Sequence, residues 1–75
     1  MLTSCVVFIG ASLSNVNLTG ANLTNAQLTN SRFTTVNLTN TNLSTADYSG
    51  WSQSNNTYAN TQCPAGNTIT GAGPC

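Results

Sequence analysis

Three cysteines are the chain's most reactive side chains, and their placement is uneven. Cys63 and Cys75 bracket a tail rich in proline and glycine, Cys63-Pro64-Ala65-Gly66 through Gly71-Ala72-Gly73-Pro74-Cys75. Such a segment reads as a run of turns closed by a disulfide. Cys5 is then left over, and an odd cysteine is suited to an intermolecular bridge. Zinc binding and thiol redox catalysis fit poorly, because the spacing is wrong and the chain has no histidine. Arg32 and Asp47 are the only charged residues, so neither paired carboxylates nor a nucleophile with its base can be assembled. No catalytic residue, metal ligand or cofactor is expected, and the chain reads as non-enzymatic.

A second kind of chemistry lies in the asparagines. Asn17, Asn22, Asn37, Asn42 and Asn55 each stand two residues before a Thr or Ser, the acceptor pattern for N-linked glycans. Four of these follow automatically from a repeated Asn-Leu-Thr/Ser unit. Covalent glycans are one reading. The other is a ladder of stacked amides, as on cross-β surfaces, and it is favoured because asparagines about 4.8 Å apart would crowd two glycans.

Composition narrows the setting. Charged residues make up 3% of the 75, so solubility must come from hydroxyls and amides. Without a basic patch there is no electrostatic footprint for nucleic acid or an anionic membrane. The longest apolar run, Cys5 to Ile9, is too short to span a bilayer. A targeting signal is expected to be absent or already removed. Paired cysteines in a small, loop-rich segment favour an oxidising location, outside the cell or on its surface.

The elements that must position these residues are set by a five-residue repeat. Large apolar side chains fall at Phe8, Leu13, Leu18, Leu23, Leu28, Phe33, Leu38, Leu43 and Tyr48, with no slip. Two positions before each stands a small or β-branched residue, from Val6 and Ala11 through Thr41 and Ala46. Apolar residues five apart would spiral around a helix and would alternate faces of a flat strand. The interval works if the chain turns a corner at every repeat, with one small and one large residue pointing inward. Leu13, Leu18, Leu23, Leu28, Phe33, Leu38, Leu43 and Tyr48 are then the expected core. Ser31 and Thr41 put hydroxyls at inward positions, and each needs a backbone partner.

Ala21-Asn22-Leu23-Thr24-Asn25 and Ala11-Ser12-Leu13-Ser14-Asn15 resemble the consensus of the pentapeptide-repeat family. The resemblance runs over residues 6–50 and implies an all-β fold, a right-handed quadrilateral β-helix (a β-solenoid) with four repeats per coil. Nine repeats make about two coils, with Leu13 stacked on Phe33, Leu18 on Leu38, and Leu28 between Phe8 and Tyr48. Some members of that family are thought to mimic DNA and bind gyrase, which requires a long acidic rod. This chain is short and neutral.

Three segments are expected: an apolar N-terminal strand, cap or docking segment at 1–10, the repeats at 6–50, and a C-terminal cap with its disulfide-closed tail at 51–75. A two-coil stack has open ends that invite pairing. Val6, Val7, Phe8 and Ile9 at one end, and Trp51 and Tyr58 at the other, are the expected assembly interface. The partner is the protein itself, and head-to-tail contacts that do not close generate filaments. The expected role is a structural subunit of an extracellular fibre. The alternative is a monomeric surface module that presents its polar face, or an aromatic platform at Trp51 and Tyr58, to a partner or glycan.

Overall fold

A computed structural model describes residues 6–71 and 74–75. Every regular element among them is a β-strand: β1 Ser12–Ser14, β2 Arg32–Thr34, β3 Ser52–Ser54, β4 Thr61–Gln62 and β5 Thr68–Ile69. The first three form one parallel sheet in the order β1-β2-β3, with Leu13 opposite Phe33 and Phe33 opposite Gln53. The same twenty-residue offset recurs on the other sides of the molecule. Val7 pairs with Gln27 and Gln27 with Asp47; Asn17, Asn37 and Thr57 align, as do Asn22, Asn42 and Gln62. The chain thus stacks in layers of four five-residue sides, here labelled first (6–25), second (26–45) and third (46–63).

The corners explain the interval. Every fifth residue from Gly10 to Asn60 has a positive φ, between 52° at Asn60 and 73° at Gly20. Glycine and asparagine tolerate this left-handed conformation best, and they fill nine of the eleven corners. Thr35 and Thr45 are the exceptions, with φ of 55° and 62°. Gly50 has a further reason to lack a side chain, since a Cβ there would run into Asn30 Oδ1. Seven of the eleven corners are tied by the residue that follows, whose N–H donates back across the corner. The Ala26 N–H donates to Leu23 O and the Thr41 N–H to Leu38 O, both at 3.0 Å.

Between layers the ladder alternates direction. In the second layer the Gln27 N–H donates down to Val6 O (2.8 Å) and the Leu28 N–H donates up to Asp47 O (2.7 Å). Inside the stack, Leu23, Leu28, Phe33, Leu38 and Leu43 are fully buried. Phe33 meets Phe8 of the first layer and Trp51 of the third edge to face, at centroid distances of 6.1 and 5.2 Å. The two inward hydroxyls find the partners their burial demands. Ser31 Oγ donates to Leu28 O and Thr41 Oγ1 to Leu18 O, both at 2.7 Å.

Two expectations change here. The Leu repeat fades at Gly50, but the ladder does not end with it. β3, Thr57 and Gln62 continue the pairing, so residues 51–63 complete the third layer and the covering tail begins at Pro64. Tyr48, placed in the core from its register, is half exposed. Its column is right, yet no described residue stacks above it.

Candidate functional site at the two ends of the stack

The third layer fills the inward frame with different chemistry. Where the second layer has Leu28, Phe33, Leu38 and Leu43, the third has Tyr48, Gln53, Tyr58 and Cys63. Gln53 Oε1 accepts from the Tyr58 hydroxyl at 2.6 Å and from the Cys75 N–H at 3.0 Å. Asn56 replaces an inward valine. Its Oδ1 accepts from the Val36 N–H at 2.8 Å, and its Nδ2 donates to Phe33 O at 3.2 Å. Thr61 Oγ1 donates to Leu38 O at 2.6 Å, repeating the device of Thr41 one layer up. Burial pushes the Tyr58 phenol above its ordinary value, opposed by the Asn56 hydrogen bond. The Trp51 indole Nε1 is buried with no hydrogen-bond partner among the described residues.

Tyr58 and Trp51 therefore do not form an exposed platform or docking patch. Tyr58 is 5% exposed beneath its own chain, and Trp51 is half-buried against Phe33. A cleft of about 160 Å³ lies beside Tyr58, which lines it with Gln53, Ser54, Asn55, Asn56 and Pro74.

The tail covers part of this end. β4 pairs antiparallel with β5, Thr61 opposite Ile69 and Gln62 opposite Thr68. The Gly71 N–H donates to Tyr58 O at 2.7 Å, and the Asn60 N–H donates to Thr70 Oγ1 at 3.0 Å. The disulfide expected from the sequence joins Cys63 to Cys75. Cys63 occupies the column of Leu23 and Leu43, so the bond anchors the tail to the interior of the stack.

The N-terminal end differs. Val6 and Phe8 are half-buried against the core, while Val7 and Ile9 point outward and are 60% and 55% exposed. Cys5, and with it the first half of the 1–10 segment, lies outside the described residues.

The asparagines of the acceptor patterns fall into two groups. Asn17, Asn22, Asn37 and Asn42 align in pairs one layer apart. Each turns its Oδ1 onto the N–H two residues on, at 3.0–3.1 Å, a local Asx turn rather than a free amide ladder. Asn55 instead sits exposed at a corner, with φ of 55°. Among the described residues no three His, Cys, Asp or Glu side chains are placed to hold a metal ion, and no helix is long and apolar enough to cross a membrane.

The family model for pentapeptide repeats matches residues 11–47 in eight copies. The chain belongs to the pentapeptide-repeat family. That match ends within the first side of the third layer, so the last sides of this pentapeptide-repeat protein keep the frame of the fold after losing its sequence pattern. No curated protein and no solved structure matches the chain.

Proposed function

We propose that this pentapeptide-repeat protein is a non-enzymatic structural subunit, a right-handed quadrilateral β-helix that stacks head to tail with copies of itself outside the cell. One observation carries the reading: apolar side chains are exposed at both ends of the same side of the stack. Val7 and Ile9, with Phe8 half-buried between them, lie at the N-terminal end, and Tyr48 lies at the C-terminal end. They share one register through Val7, Gln27 and Asp47. A first layer set on the third layer of a second copy, at the same twenty-residue offset, brings Phe8 over Tyr48. It also continues the backbone ladder across the boundary. Such a contact is heterologous and does not close, so it extends into a filament. The disulfide favours an oxidising, extracellular setting.

Sedimentation velocity over a wide concentration range, with the disulfide intact and reduced, tests the reading, with electron microscopy of the heaviest fraction. Mass that grows with concentration under at least one condition is expected, reduced at least tenfold in apparent association constant by Tyr48→Ser or Val7→Lys. A monomer at every concentration under both conditions would refute it.

A further inference from the structure

The tail occupies the place of another layer. In the second layer the Asn40 N–H donates up to Ala59 O and the Leu43 N–H donates up to Gln62 O. Their counterparts one layer higher, Asn60 and Cys63, donate to the tail: Asn60 to Thr70 Oγ1 and Cys63 to Asn67 O, at 3.0 and 2.7 Å. On the side of Tyr48 the tail gives no such substitute. The second-layer donors Leu28 and Asn30 reach Asp47 O and Ser49 O, but among the described residues no acceptor meets the N–H of Tyr48 or Gly50. Of the four donors Tyr48, Gly50, Asn60 and Cys63, the stand-in thus meets two and leaves two bare.

What holds the stand-in is narrow. Its strand β5 pairs with β4 of the third layer over two residues each, and a hairpin of that size is marginal alone. Residues 65–68, Thr70 and Gly71 are exposed, and among the described residues of the tail only Ile69 and Cys75 are apolar side chains packed against the core. The covalent link from buried Cys63 to half-buried Cys75 is the one strong tie.

We propose that the third-layer edge beneath the tail is an interaction surface for the first layer of a second copy, and that the Cys63–Cys75 disulfide is the latch that closes it. The occupant is argued from the ladder. In the first layer Val7, Asn17 and Asn22 hold the ladder positions by which Gln27, Asn37 and Asn42 of the second layer, and Asp47, Thr57 and Gln62 of the third, pair with the layers beneath them. A copy of the first layer therefore supplies acceptors to Tyr48, Gly50, Asn60 and Cys63 together, where the tail supplies only the last two. A dithiol opens the latch. Its thiolate attacks one sulfur of the bond and displaces the other as a thiolate, and its second thiol then closes the cyclic disulfide of the reagent. Two electrons and two protons pass to the protein, leaving Cys63 and Cys75 as thiols. Oxidised chains, with the tail held over the edge, extend only at higher concentration, whereas reduced chains stack readily.

This inference rests on the stacking reading, and the test separates the two. Amide hydrogen exchange and sedimentation are measured on the same samples: oxidised protein, protein reduced with dithiothreitol, and Cys75→Ser kept in reductant so that Cys5 stays a thiol. The expected result is at least tenfold faster exchange at Asn60, Cys63 and Gly71 on reduction, with Leu28, Leu38 and Leu43 still protected. Assembly should then begin at a concentration at least tenfold lower than for oxidised protein, and Cys75→Ser should match the reduced sample. Unchanged exchange in the tail overturns the latch, even if both forms assemble and the stacking reading stands. Loss of protection in the second layer as well overturns it too, since the bond then staples the whole fold. A tail that opens without any growth in mass removes the stacking reading, and the latch with it.

Discussion

The second and third layers share one backbone frame and differ in what that frame encloses. In the second layer every large inward side chain is apolar and fully buried, with a layer above and below. In the third the same positions hold Tyr48, Gln53, Tyr58 and Cys63, and Asn56 and Thr61 stand where valine and threonine stood. The reason is the missing neighbour. A leucine at the top of a stack would face solvent or a thin tail, whereas Gln53 accepts from the Tyr58 hydroxyl and the tail's Cys75 N–H, and Asn56 bonds Val36 N–H and Phe33 O of the layer beneath. Polar inward residues therefore mark where the stacked layers stop repeating, and the tail meets part of the end that they leave.

The largest test of this contrast is Leu38→Ala. Removing a fully buried second-layer side chain should lower stability by about 2–5 kcal/mol, read from the midpoint of urea unfolding. Leu13→Ala, at a half-buried side chain of the first layer, should cost clearly less. Equal losses would mean that the layers are not energetically distinct.

Gln53→Leu sharpens the same point from the other side. It would extend the apolar column of Leu13 and Phe33, yet it orphans the Tyr58 hydroxyl and the Cys75 amide. A loss of about 1–3 kcal/mol is expected. A neutral or stabilising result would show that the polar interior is incidental.

Thr35→Asn should raise stability by about 0.5–1 kcal/mol, because a β-branched residue is poorly suited to the left-handed corner. Thr45→Asn should gain less, since Thr45 Oγ1 donates to Asn25 Oδ1 across layers. A gain at Thr45 equal to that at Thr35 would count against this account of the corners.

The smallest effect concerns Tyr58. Its phenol is shifted upward in the folded chain by burial, so the neutral form is bound more favourably there than in the unfolded state. That contribution is intact below the ordinary tyrosine value of about 10 and is lost as pH rises through the higher folded value. Stability measured across that range should fall with pH, and Tyr58→Phe should flatten the slope. An unaltered slope would place the titration elsewhere.

Much of this architecture was legible from the apolar column, because an interval of five is incompatible with helix or flat strand. The register of Leu13 on Phe33, the carbonyl partners of Ser31 and Thr41, and the Cys63–Cys75 bond were all accessible in that way. The third layer was not, since Gln53 and Asn56 break the apolar pattern. Another column would have revealed it: the glycines and asparagines at the corners continue through Gly50, Asn55 and Asn60. Corner residues obey backbone sterics, which hold in every layer, whereas inward residues obey burial, which changes at an end.

By itself, then, the sequence determined the winding. Periodicity is a local property, and each five-residue unit carries its own inward pair and its own corner. Only the tertiary structure decided what happens where the winding ends: that Tyr58 is covered while Tyr48 is not, and that the tail substitutes for a layer on one part of the edge alone. Those outcomes depend on which groups lack a neighbour in space. No repeat encodes that, because it is a property of the last layer and not of the unit.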